Sequence, residues 1–345
     1  MVNHAMPLIL GIESTCDETA AAVVADGYRV LSNVVASQID LHAKYRGVVP
    51  EIASRAHIEN ILPVIREAIH NANTSLDQLD AIAVAHRPGL IGSLLIGVTA
   101  AKTLAFALNK PLIAVDHVHA HLYSVVLETN IVPPMPAVGL VVSGGHTALY
   151  HLQDLTTVRL IGSTLDDAVG EAYDKVATIL GLGYPGGPVI DRLADTGDPK
   201  AVPFPRTMLG RQSLDFSFSG LKTAVLYHVR GYQGRQRPLT SLSPQNIADV
   251  AASFQAASID VLSRKLRRAL SQTNAKSVII GGGVSANRGL RLATAQFPVP
   301  VFFPLPAYCT DNAAMSAGLA HLPFLRHDFA SLDLDAITYS QFRLT

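Results

Sequence analysis

The chain has no tryptophan, and phenylalanine and tyrosine together supply only 6% of its 345 residues. Two cysteines, Cys16 and Cys309, are too few for a disulfide scaffold and fit a reducing cytoplasm. Net charge is absent too. With 27 basic side chains against 27 acidic ones, no overall field draws nucleic acid or an anionic membrane. A nucleic-acid partner therefore needs a local basic patch or a helper protein. The segment ahead of the apolar run 6–12 carries no basic region, which argues against a signal peptide. No apolar stretch is expected to approach the ~18–20 residues that span a bilayer, so the chain reads as cytoplasmic with no membrane partner. What is abundant is hydrophobic residues, 49% of the total, enough for a sizeable core and two domains.

Short apolar runs bounded by turns predict strands over 8–12, 20–25 and 28–37, then an amphipathic helix over 57–72. A buried strand over 81–85 leads through Arg87-Pro88-Gly89-Leu90-Ile91-Gly92 into an apolar helix ending near Leu108, and a further strand covers 111–115. The second half repeats the order. Strands over 138–142, 147–152 and 158–163 precede a helix over about 167–180. A strand over 277–280 leads into Gly281-Gly282-Gly283-Val284-Ser285-Ala286-Asn287 and a helix, and a strand over 299–303 precedes a last helix over 313–321. This is an α/β fold with a duplicated βββαβαβα unit around a cleft, the architecture of actin, sugar kinases and the Hsp70 ATPase. Pro133-Pro134-Met135-Pro136 cannot be helical and marks the boundary. The expected division is 7–132 for the first half, 136–322 for the second and 323–345 for a C-terminal tail. Such a fold leaves function open.

Chemistry concentrates in Val115-Asp116-His117-Val118-His119-Ala120-His121. If the chain turns helical after Asp116, His117 and His121 stand at i and i+4 on one face, the spacing at which two imidazoles grip one metal ion. His119 then points elsewhere. Spacing alone allows equally well three polar residues at a helix start. The duplication offers a third ligand, because Asp311 follows the last strand of the second half as the histidines follow that of the first. Ligands in open α/β sheets gather beyond the carboxyl ends of strands. Asp311 competes as a helix N-cap ahead of Asn312-Ala313-Ala314. Two imidazoles and a carboxylate leave an open coordination position, and imidazoles favour Zn or Fe(II) over Mg²⁺.

Two glycine turns suit phosphate. In Ser143-Gly144-Gly145-His146-Thr147 the backbone can approach an anion closely, and Gly281-Gly282-Gly283 opens a helix N-terminus. Each alone is as well explained by turn geometry. Asp167, Glu171 and Asp174 fall on one helix face, usually a solvated stripe, here a candidate for ribose hydroxyls. The stretch 215–222 alternates polar and aromatic residues, as an edge strand or a loop lining a site would. Arg206, Arg211, Lys222, Arg230, Arg235 and Arg237, interleaved with Tyr227 and Tyr232, and then Arg264, Lys265, Arg267 and Arg268, read as solvated faces or as an RNA-backbone patch.

Several of these stretches together resemble one family. They are Gly11-Ile12-Glu13-Ser14-Thr15-Cys16-Asp17-Glu18-Thr19, Gly47-Val48-Val49-Pro50-Glu51, the 102–122 segment with its histidines, and Ser143-Gly144-Gly145-His146-Thr147. Gly170-Glu171-Ala172-Tyr173-Asp174-Lys175, Tyr184-Pro185-Gly186-Gly187-Pro188, Gly282-Gly283-Val284-Ser285-Ala286-Asn287 and Thr310-Asp311-Asn312 extend the likeness across nearly the whole chain. The family is that of the TsaD/Kae-type tRNA threonylcarbamoyltransferases, once called O-sialoglycoprotein endopeptidases. The resemblance implies a metal at His117, His121 and Asp311, and substrate or nucleotide contacts at Val141, Val142, Ser143, Gly144, Gly145, Asp174, Gly187, Asp191 and Asn287. It implies transfer of a threonylcarbamoyl group from threonylcarbamoyl-adenylate to N6 of the adenine beside the anticodon in tRNAs reading codons that begin with A. It also implies partner proteins, in bacteria an inactive paralogue (TsaB) and a small ATPase (TsaE). Glu13 is the candidate for positioning or deprotonating near the amine. One departure is Arg87-Pro88-Gly89-Leu90, where the family usually has Gly-Pro-Gly-Leu, and 231–242 matches poorly, as a variable surface loop would.

Three rivals remain. A metalloprotease would need a His-Glu-x-x-His, which is missing. A small-molecule kinase of the same fold would call for carboxylate-bound Mg²⁺. A nucleotide-binding scaffold within a complex would need no catalytic metal.

Overall fold

Leu8–Glu13 (β1) and Glu18–Ala25 (β2) are almost wholly apolar and buried, so they form the middle of a sheet instead of an edge. The computed structural model describes residues 6–231, 238 and 242–340. β2 pairs antiparallel with β1 and with Arg29–Ser37 (β3), while Ala81–Arg87 (β4) and Leu112–Asp116 (β5) lie parallel on the other side of β1. The order is β3-β2-β1-β4-β5. After the short helix Ile39–Ala43 (α1), the chain forms Pro50–Asn71 (α2), with proline at its first turn, and later Ile91–Leu108 (α3). His117–Tyr123 (α4) follows β5 directly.

The second sheet repeats the first. Ala137–Val142 (β6), Thr147–Leu152 (β7), Val158–Ser163 (β8), Ser277–Gly281 (β9) and Val301–Phe302 (β10) take the order β10-β9-β6-β7-β8, with the same parallel and antiparallel pairings. Its helices are Val169–Ile179 (α5), Gly186–Ala194 (α6), Ser219–Arg230 (α7), Pro244–Thr273 (α8) and Arg288–Thr294 (α9). The expected duplication is therefore present strand for strand. The stretch 215–222 goes no further toward an edge strand than one parallel bridge, Phe216 to Thr164 beside the end of β8: Phe216 and Phe218 are fully buried anchors, and α7 begins at Ser219. Of the expected surface loop 231–242, residues 232–237 and 239–241 lie outside the described residues, as do Tyr232, Arg235 and Arg237 of the basic stretch.

The chain divides into two compact units, one of described residues 6–132 and 304–340, the other of 133–303. This differs from the expected division, in which residues up to 322 belong to the second half. The last helix, Ala313–Leu325 (α10), is buried along Ala313–Ala320 and packs on β1, β2, β4 and β5. Gly11 of β1 makes this approach possible, since a Cβ there would lie 2.4 Å from the Ala313 carbonyl oxygen. Asp311 consequently belongs to the unit that carries the histidines.

α3 also departs from expectation. It has 18 residues of mean hydropathy 1.8, long and apolar enough by composition to cross a membrane. Its stripe Ser93, Leu94, Gly97, Val98, Ala101 and Ala105 is buried, packed beside β4 and α2.

Candidate active site

The three parallel strands of the first unit end together at Glu13, Arg87 and Asp116, and the site is built on those ends. Asp116 stops β5 and caps α4: its Oδ1 accepts from the backbone N–H groups of Val118 and His119 at 3.1 and 3.2 Å. Helix therefore starts at His117, and His117 and His121 share one face with ring centroids 4.6 Å apart. Asn312 caps α10, its side chain accepting from Met315 N. The capping role open to Asp311 is thus filled by its neighbour, and the Asp311 carboxylate turns to the histidines. Its Oδ1 lies 3.0 Å from His121 Nε2 and 3.6 Å from His117 Nε2.

These three donors fit one metal ion. All three ligand atoms lie within 4.8 Å of one another. Two atoms bound at ~2.0–2.1 Å to a tetrahedral ion stand about 3.3 Å apart, between the two distances found here. The far nitrogen of His117 is already held, since Nδ1 lies 3.2 Å from Glu13 Oε2 and 3.3 Å from Thr15 Oγ1. That is the carboxylate–imidazole support typical of a ligand histidine. Local charge favours a cation as well. Burial, with the negative charges of Asp311 and Asp17, pushes Glu18 up to about 10. Burial works against a charged His117, yet the Glu13 and Asp311 carboxylates outweigh it and raise the imidazole to about 9.

Glu13 itself is fully buried. Its Oε1 accepts from Thr15 N at 2.9 Å, and its Oε2 faces both His117 Nδ1 and the Ser316 hydroxyl at 3.3 Å. A carboxylate enclosed in this way is set to orient His117. His119 is buried as well, not solvated. Thr15, Ser316 and the turn-holding His57, whose Nε2 lies 3.0 Å from the Cys16 carbonyl, escaped the sequence reading. Their side-chain partners are 38 or more residues away in the chain, so no local pattern announces them.

In the second unit, Val141 and Val142 end β6 and Ser143-Gly144-Gly145 turns toward β7. The turn closes through Ser143 N donating to the His146 carbonyl at 2.8 Å. Gly144 and Gly145 are exposed, and a Cβ on either would touch nothing. Behind the turn Gly170 presses on it, since a Cβ there would sit 2.5 Å from Ser143 O. Asp174 accepts from Gly186 N at 2.7 Å, at the first turn of α6, with Gly187 next along. Further along α6, Asp191 pairs with Arg288 at 3.0 Å and accepts from Gln255 Nε2 at 3.1 Å. Gln255 Oε1 in turn accepts from Asn287 Nδ2 at 2.8 Å, and Asn287 caps α9 through its Oδ1. Gln255, a polar residue in the middle of α8, joins two expected contact residues and was not foreseen.

One expectation fails on contact. Asp167 precedes α5 and is held by Lys175 and Lys222 at 3.1 and 2.6 Å, which lower its carboxyl against the burial that would raise it, so it does not await a ribose. Part of the basic stretch serves the fold, while Arg206, Arg211, Arg264 and Arg267 stay exposed, as on a solvated face. Arg206 and Arg264 share Asp260, Lys265 is buried on the carbonyls of Met208 and Ser213, and Arg267 lies over Phe297.

Two like units, each with a mixed five-stranded sheet, define an actin-like fold, and one of them carries a His-His-Asp donor set at its strand ends. Solved structures of the same fold include T. kodakarensis HypF, with a TM-score of 0.60 and 17% identity over 95% of this chain and 49% of that one. Another is the (R)-2-hydroxyglutaryl-CoA dehydratase component A of Acidaminococcus fermentans, with a TM-score of 0.53 and 15% identity over 93% and 98% of the two chains. The family model described as TsaD, tRNA N6-adenosine threonylcarbamoyltransferase, matches residues 29–318. The curated tRNA N6-adenosine threonylcarbamoyltransferases of Moorella thermoacetica and Symbiobacterium thermophilum are each 54% identical to this chain, covering 95% or more of it and 95% of their own length. The chain belongs to the tRNA N6-adenosine threonylcarbamoyltransferase family.

Proposed function

We propose that the chain transfers a threonylcarbamoyl group from threonylcarbamoyl-adenylate to N6 of the adenosine next to the anticodon of tRNA, with one divalent metal ion held by His117, His121 and Asp311. The observation that carries the metal is the convergence of both Nε2 atoms on one Asp311 oxygen, with Glu13 behind His117. Such an ion, Zn or Fe(II) by its donors, supplies Lewis acidity toward the carbamoyl carbonyl. In the reaction the N6 lone pair forms a C–N bond to the carbamoyl carbon, the bond from that carbon to the phosphate oxygen breaks, AMP leaves and N6 loses one proton.

The chain's own residues prepare this step. Glu13 and Thr15 fix the His117 ring, and Asp116 fixes the helix that carries both imidazoles. In the second unit, the open amides of Gly144 and Gly145 and the Asp174, Gly187, Asp191 and Asn287 group suit the adenylate portion. An anticodon-loop adenine can be unstacked at little cost, which exposes N6. A tRNA substrate supports a cytoplasmic location. Balanced charge, and a basic stretch partly engaged in ion pairs of its own, support tRNA affinity supplied in part by the partner proteins TsaB and TsaE.

The test is single-turnover transfer with purified protein, threonylcarbamoyl-adenylate, unmodified tRNA and the partner proteins. Activity that disappears on chelation and returns with Zn or Fe(II) is expected. Full transfer by protein proven metal-free would overturn the metal assignment.

A further inference from the structure

α4 is only seven residues long, too short to hold its shape without outside support. Its cap, Asp116, is therefore the point from which both imidazoles are aimed. The Asp116 side chain is 1% exposed, and while Oδ1 binds the helix amides, Oδ2 accepts from the Ser340 hydroxyl at 2.9 Å and pairs with Arg87 Nε at 3.6 Å. Arg87 ends β4, the neighbouring strand. Ser340 comes from the far end of the chain.

The route by which Ser340 arrives is continuous. Ala330 N donates to Leu112 O at 2.8 Å, forming an antiparallel bridge at the start of β5. Lys102 of α3 donates to Leu334 O at 3.0 Å, Ala336 enters the hydrophobic core, and Ile337 N donates to His86 O at 2.9 Å while the His86 ring meets Asp335 O at 3.1 Å. The segment 330–340 thus bridges the edge strand at the start of β5, passes α3, meets β4 at His86 and finishes on the cap of α4. Covering the sheet in this way needs backbone contacts and Ala336 alone. A hydroxyl that donates to this buried carboxylate, and a guanidinium 3.6 Å from it, bring more than packing to the cap of α4.

We propose that Arg87 and the C-terminal segment, through Ser340, are positioning elements for the metal centre, acting on His117 and His121 by clamping Asp116. This rests on the metal reading of the site. Both residues act on Asp116, the cap of the helix that carries the imidazoles, and so one step further out than Glu13.

The test uses the full chain and Co(II) as probe, whose visible absorption reports coordination geometry. S340A, R87A, R87K and the R87A/S340A pair are titrated with cobalt in competition with a chelator, with thermal unfolding measured alongside. S340A removes one oxygen near the chain end and keeps the test valid should R87A fold poorly. Affinity roughly 3- to 10-fold lower in S340A and R87A is expected, below the 10–100-fold typical of groups that touch a ligand. A shifted cobalt band, partial recovery in R87K and a non-additive double variant are expected with it. Wild-type affinity and spectrum in S340A and R87A, even with reduced thermal stability, would reduce the segment to sheet cover and overturn the proposal. A wild-type chain that binds no cobalt would overturn the metal reading itself, and this inference with it.

Discussion

His117 Nδ1 stands 3.2 Å from Glu13 Oε2, both groups buried, at the end of two strands separated by more than a hundred residues of chain. This pair fixes which imidazole nitrogen faces Asp311. Replacing Glu13 by Gln keeps the shape and removes the charge, and metal affinity should fall about 10–100-fold. Replacing it by Ala also strands the partners Thr15 N and Ser316 Oγ, at about 1–3 kcal/mol of stability. Metal competition and denaturant unfolding separate the two effects. Unchanged affinity in E13Q would remove Glu13 from the support of the site.

The same pair predicts a pH dependence for the metal-free protein. The His117 imidazole is raised from 6.5 to about 9 in the folded chain. A raised value means the folded state binds the proton more tightly, so this contribution is full below pH 6.5 and disappears as pH climbs through about 9. Thermal unfolding of stripped protein should show a falling midpoint over that window, absent in H117A. Metal loading should flatten the dependence, because the ion takes the proton's place.

Much of this was legible in the sequence, for identifiable reasons. His117 and His121 could be paired because i, i+4 spacing is a local property, and the strand pattern repeated clearly enough to align Asp311 with them. The sheet on which Asp311 sits was not legible. α10 is apolar nearly all round, so its pattern names no face, and its packing on β1, β2, β4 and β5 rests on contacts, such as the close approach at Gly11, that no local pattern announces. Phe216 and Phe218 alternate as strand residues do, yet both are buried anchors ahead of a helix. Gln255 lies in a 30-residue helix whose sequence gives no sign that its amide bridges two distant side chains.

That bridge leads to a third prediction. Q255A removes the partner of Asn287 Nδ2 and one of those of Asp191. Stability should fall by about 1–3 kcal/mol. In a double-mutant cycle with N287A the effects should be non-additive by 0.5 kcal/mol or more. Strict additivity in urea unfolding would contradict the link.

Two glycines of one turn region should behave oppositely. G144A places its Cβ in open space, so stability should stay within about 0.5 kcal/mol while KM for the adenylate rises. G170A drives a Cβ to 2.5 Å from Ser143 O and should cost about 1–3 kcal/mol through overpacking. Equal Tm losses in the two variants would mean that the turn is not packed as described.

The central claim is that His121 and Asp311 hold a metal needed for transfer. Its most direct test is metal content and single-turnover product measured on the same samples of wild type, H121A and D311A, each shown to be folded by circular dichroism. One metal per wild-type chain with product formed, and loss of both in the two variants, is the predicted result. Folded, metal-depleted variants that modify tRNA as fast as wild type would contradict it.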